Sequence, residues 1–141
     1  MGNNLLIEDN ESLMSINDFN DLLVVQRNLE IQFNPSLNSI NGFSNIESIN
    51  ASGDFDTNNS LVSINGFQQL NQIGGDFLIR NNATLETAAF SQLDTISGNL
   101  FLSTNAGLNN INFPVLEFTN GYLQVNANAC LLYTSPSPRD S

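Results

Sequence analysis

The chain has 141 residues, 40% hydrophobic and only 12% charged, with fourteen acidic residues against three arginines and no Lys, His or Trp. A formal charge of -11 with so few cations argues against a nucleic-acid backbone or an anionic membrane surface as partner, because both demand Lys and Arg to displace counterions. Without His, and with Cys130 the only thiol, there is no serine or cysteine triad, no His-bearing zinc site and no intramolecular disulfide, and no run of eighteen apolar residues offers a spanning helix.

Along the chain, six short alternating pairs come first in each repeat: Leu5 with Ile7, Leu29 with Ile31, Gly53 with Phe55, Phe77 with Ile79, Leu100 with Leu102, and Leu123 with Val125. A spacing of two is the strand period, so each pair predicts a short strand with one face inward. Behind each pair stands an asparagine, at Asn10, Asn34, Asn58, Asn82, Asn105 and Asn128. Three residues later comes a leucine: Leu13, Leu37, Leu61, Leu85 and Leu108. Apolar residues then recur at nearly every third position, first Ile16, Ile40, Ile64, Ala88 and Ile111, then Phe19, Phe43, Phe67, Phe90 and Phe113. The next two sets are Leu22, Ile46, Leu70, Leu93 and Leu116, and Val25, Ile49, Ile73, Ile96 and Thr119. The period is 24 residues, falling to 23 at the end, which is the signature of a solenoid. The lost residue can be located, since Asn17-Asp18, Asn41-Gly42 and Asn65-Gly66 are matched by Ala89 and Asn112 alone.

An apolar spacing of three would wind around an α-helix of 3.6 residues per turn, so it suits extended arcs joined by turns. The β-branched and Phe residues at these positions favour strands, and the Asn, Ser and Gly between them favour turns. Residues 1–129 therefore predict an all-β solenoid of five coils and the opening strand of a sixth, each coil adding about 4.8 Å to a stack held by parallel pairing. An inward Asn in the sharp turn after the first strand can donate to a backbone carbonyl of the neighbouring coil and accept from N–H groups of the turn. The six asparagines are expected to form a buried structural ladder. Of the N-glycosylation patterns, those starting at Asn10, Asn58 and Asn82 use ladder residues, which leaves Asn50 as the acceptor outside it.

The repeat Leu-x-Ile-x-x-Asn-x-x-Leu-x-x-Ile-x-Gly-Phe-x-x-Leu-x-x-Ile-x-Gly, seen best over 29–52 and 77–99, resembles leucine-rich repeats of the receptor L-domain kind. The resemblance covers residues 2–129 and implies right-handed coils with one parallel sheet face, an extracellular or cell-surface setting as in bacterial surface proteins, and action by binding. It implies no cofactor. The chain departs from the pattern in lacking the cysteine-rich caps of animal receptor modules, and Gly53, Ala88 and Thr119 interrupt ladders. Residues 130–140 read, codon by codon, as a translated sequencing-library adaptor of the transposase type. Residues 130–141 are therefore expected to be a foreign, structureless extension, and the remainder a piece of a longer protein with neighbouring repeats or domains. No charged n-region with an apolar h-region follows Met1, so no signal peptide is in view. Without polar caps both end coils should present open faces and unpaired strand edges.

Function is sought in the outward positions of the first strands, which the ladders leave free. One column is Leu6, Glu30, Asp54, Leu78, Phe101 and Gln124, and the other is Glu8, Gln32, Asp56, Arg80, Ser103 and Asn126. Glu30, Gln32, Asp54, Asp56, Leu78, Arg80, Phe101 and Ser103 form the expected binding face for a protein or carbohydrate, with Phe101 as an anchoring or stacking surface. The competing readings are a carboxylate-based, polysaccharide-active β-helix enzyme built on Asp54, Asp56 and Glu30, and a calcium-binding repeat using the same acids. The coils are too short and regular to build a cleft, and Asn59 stands where a calcium loop needs Gly, so a non-catalytic binding module without a metal site is the expectation.

Overall fold

The structure, a computed structural model, describes residues 3–119, 121–126, 128 and 132–134. They form an all-β solenoid in parallel sheets, and no helix occurs among them. The first sheet stacks β1 (Leu5–Glu8), β4 (Leu29–Gln32), β7 (Gly53–Asp56), β10 (Phe77–Arg80), β13 (Leu100–Ser103) and β16 (Leu123–Asn126) in that order. The second stacks β2 (Ser15–Ile16), β5 (Ser39–Ile40), β8 (Ser63–Ile64), β11 (Thr87–Ala89), β14 (Asn110–Asn112) and β17 (Leu132–Thr134). A third joins β3 (Val24–Val25), β6 (Ser48–Ile49), β9 (Gln72–Ile73), β12 (Thr95–Ile96) and β15 (Phe118–Thr119). The expected single sheet face is thus one of three. The two shorter sheets arise because the third-position isoleucines and valines sit in two- and three-residue strands that pair with their equivalents one coil away.

The alternating pairs fill the core as their spacing predicts. Leu29, Ile31, Phe55, Phe77, Ile79, Leu100 and Leu102 are buried, as are Leu37, Leu61, Leu85 and Leu108. The phenylalanines run through the centre as a stacked column, with ring centroids 5.0 Å apart for Phe19–Phe43 and 5.1 Å for Phe43–Phe67. Phe67 and Phe90 open to 5.9 Å and tilt by 31° at the place where the period shortens. The pairing locates that deletion. Ile64 still faces Ala88, 24 residues on, in the second sheet, while Ile73 already faces Ile96, 23 residues on, in the third. The missing residue lies between them, where β11 runs straight through Ala89 and the earlier coils carry Asn17-Asp18, Asn41-Gly42 and Asn65-Gly66.

The asparagine ladder forms, with partners that differ in part from those expected. Asn34, Asn58, Asn82 and Asn105 are fully buried. Each donates Nδ2 to a carbonyl of the preceding coil, as Asn82 does to Phe55 O at 3.0 Å and Asn105 to Ile79 O at 2.8 Å. The acceptor role is played across coils and not within the turn: Oδ1 of Asn82 accepts the backbone N–H of Asn58 at 3.0 Å and its Nδ2 at 3.3 Å. Asn10 is a correction to the buried ladder, since no coil covers it among the described residues and it is exposed, though its N–H and Nδ2 still donate to Asn34 Oδ1. Asn128 is half-buried. The same lack of cover leaves Phe19 41% and Val125 42% exposed.

The sharp turn itself is made by the residue before each of the first five asparagines. Asp9, Phe33, Thr57, Asn81 and Thr104 all take left-handed φ values between 54° and 58°. This conformation crowds a Cβ against the following carbonyl, and a β-branched residue tolerates it least. Thr104 is exposed, and its side chain makes no hydrogen bond to the described residues that would be lost. Replacing Thr104 by Gly is expected to stabilise the protein by about 1 kcal/mol, seen as a higher urea midpoint with an unchanged slope.

Leu132–Thr134 do not follow the expectation of a structureless extension. They pair with β14, Tyr133 opposite Ile111, one residue short of the 23-residue spacing. An open parallel edge accepts a β-prone segment through backbone groups alone, whatever its register. The rest of 130–141 lies outside the described residues.

Candidate functional site

The outward columns of the first sheet stand in the expected register. Glu30 pairs with Asp54, Asp54 with Leu78, Leu78 with Phe101, and Phe101 with Gln124. Beside them Gln32, Asp56, Arg80 and Ser103 follow one another in the same way. Strict alternation sends the other residues of each strand into the core, so these side chains share one face. All eight are half-buried, each shielded by its neighbours one coil above and below.

Arg80 binds the middle of this face together. Its Nη2 donates to Asp54 Oδ2 at 3.1 Å, and its Nε lies 3.1 Å from Asp56 Oδ2 without the alignment of a hydrogen bond. Arg80 is 39% exposed, while Asp54 and Asp56 are 15% and 14% exposed. Asp56 is held further by Thr57 Oγ1 at 2.7 Å and Asn81 Nδ2 at 3.0 Å. One coil back, Gln32 Nε2 donates to Glu8 Oε1 at 3.1 Å. Arg80 thus ties both outward columns together at Asp54 and Asp56, because a long Arg side chain reaches back across the strand spacing of about 4.8 Å.

Asp54 is the electrostatically perturbed member. Burial pushes its carboxyl above the ordinary value of 3.8, and the nearby charges of Asp56 and Glu30 add to that, outweighing the pull of Arg80. Its Oδ1 is buried and without a hydrogen-bond partner. A raised carboxyl binds its proton more tightly in the folded state, so its contribution favours folding at low pH and is lost as pH rises from 3.8 through the folded value. We expect Asp54→Asn to gain stability relative to the parent across that window, with the difference largest at neutral pH. Urea titrations at a series of pH values check this, and a difference independent of pH would contradict it.

Among the described residues no three acidic or sulfur ligands converge as a metal-holding group. No helix of the described residues is long and apolar enough to cross a membrane. Of the glycosylation patterns, Asn58 and Asn82 are buried and bonded in the ladder, whereas Asn50 is exposed. No protein-family model, curated protein or solved structure matches the chain. Two features escaped the sequence reading: the Arg80 ion pairs, and a cavity of about 290 Å³ beside the sheet edge lined by Asp9, Glu11, Phe33, Pro35, Thr57 and Asn59.

Proposed function

We propose that the chain is a non-enzymatic binding module of an extracellular or cell-surface protein, of the leucine-rich, receptor L-domain-like kind, taking a protein or carbohydrate through the outward face of its first sheet. The observation that carries this reading is the position of Leu78 and Phe101 on one continuous parallel face directly beside the Asp54–Arg80–Asp56 network. An aromatic and an aliphatic anchor rimmed by charge is the composition of a recognition patch. A rigid solenoid holds such side chains in place without ordering cost on binding. The sequence resemblance supports the setting and the mode of action.

The test is a screen of immobilised glycans and cell-surface ectodomains against the parent chain, Phe101→Ser, and Gln72→Glu on the third sheet. A ligand retained by the parent and by Gln72→Glu but weakened at least tenfold by Phe101→Ser is expected. Ligands indifferent to Phe101→Ser would overturn the reading.

A further inference from the structure

The cavity at the sheet edge is a second candidate site, distinct from the outward face. It lies past the strand ends, where the left-handed residues turn the chain, and three successive coils supply its walls. Two of its six lining residues are carboxylates, Asp9 and Glu11, both exposed. Among the described residues neither carboxylate is in an ion pair, because both ion pairs belong to Arg80 on the sheet face. The middle coil is apolar, with Phe33 46% exposed and Pro35 beside it, and the third adds the polar Thr57 and Asn59. Phe33 is held in its place by a left-handed backbone, φ 57°, that a bulky side chain adopts only against a steric penalty. An exposed ring facing a groove with two unneutralised carboxylates offers two attractions to one kind of guest. The ring face attracts a cation through its quadrupole, and the carboxylates attract it directly.

The guest's size and softness follow from the same walls. A volume of about 290 Å³ is room enough for a single head group. A hard metal ion would use neither Phe33 nor Pro35, and these acids form no metal-holding cluster. We propose that this groove binds an alkylammonium cation, either the side chain of a lysine on a partner protein or a free small amine. Asp9 and Glu11 neutralise its charge, and Phe33 with Pro35 covers its alkyl groups.

The test is an amide NMR titration of the whole chain at constant ionic strength with choline, with its uncharged isostere 3,3-dimethylbutan-1-ol, and with a short lysine peptide capped at both ends. Choline is expected to shift the amides of Phe33 and Thr57 saturably, and the alcohol is not. Phe33→Asn suits the left-handed backbone and removes the ring, and it should weaken choline about five- to tenfold. Glu11→Gln should weaken it about threefold. Tighter binding of the peptide than of choline assigns the guest to a partner protein, and the reverse assigns it to a free amine. Equal binding of the alcohol, displacement of choline by calcium at matched ionic strength, or indifference to both substitutions would overturn the proposal. Phe101→Ser should leave the choline shifts unchanged, so failure here is separable from failure of the sheet-face reading.

Discussion

Asn82→Leu is expected to destabilise the protein by about 3 kcal/mol or more, since each buried polar group left without a partner costs about 1 to 3 kcal/mol. Leucine is close in size, so packing alone would be nearly neutral. The loss comes from what Asn82 leaves behind. Phe55 O loses the donor at 3.0 Å, and the N–H and Nδ2 of Asn58 lose their shared acceptor, all in a fully buried row. Asn10→Leu serves as the comparison. It removes one side-chain bond at an exposed position, because the Asn10 backbone N–H remains to donate to Asn34. Its cost should be below about 1 kcal/mol. Urea unfolding of both variants checks the pair, and equal small effects would mean that water reaches the row.

Gly66→Ala is expected to be about as damaging, near 3 kcal/mol, through overlap with backbone that cannot step aside. A Cβ at Gly66 would run into the carbonyl oxygen of Gly42, with Asn41 C at 2.8 Å and Gly42 C at 2.9 Å behind it. The contact is made by main chain on both sides, so no rotamer change relieves it. Stacking turns one coil apart demands that the residue facing the neighbouring carbonyl have no side chain. Gly53→Ala is the control for the chemistry of the substitution. There the nearest atoms are Phe77 Cδ1 at 3.3 Å and Ile49 Cδ1 at 3.6 Å, side-chain carbons that can shift slightly. That change should stay within about 1 kcal/mol of the parent, since the lost unfolded-state entropy of Gly offsets the tight contact. Thermal melts of the two alanine variants should separate by roughly ten degrees for a domain of this size.

Much of this architecture is legible in the residue spacings. The inward positions repeat in type as well as in place, so Leu37, Phe43 and Ile49 announce the period, and the register of Asp54 against Leu78 follows by counting. The turn before each asparagine was not legible, because Asp9, Phe33, Thr57, Asn81 and Thr104 share a backbone shape without sharing a chemistry. Nothing in a list of side chains marks a left-handed residue unless it is Gly or Asn. The Arg80 network is illegible for a different reason. No single column contains it, because the guanidinium spans two coils and both columns, touching Asp54 and Asp56 together. The groove by Phe33 was hidden because its walls come from positions 9, 11, 33, 35, 57 and 59, which obey no apolar rule and meet only when three turns are stacked.

The asparagine row also has a direction. The Oδ1 atoms of Asn34, Asn58, Asn82, Asn105 and Asn128 each accept from the Nδ2 of the asparagine one coil earlier, the donors running from Asn10 to Asn105. The amide dipoles therefore point the same way and add along the stack, with their oxygen ends toward the first coil. Hydrogen bonds arranged in series polarise one another. The row is thus an electrical analogue of a helix axis laid through a stack whose described residues form no helix, and each added coil polarises the rungs already in place.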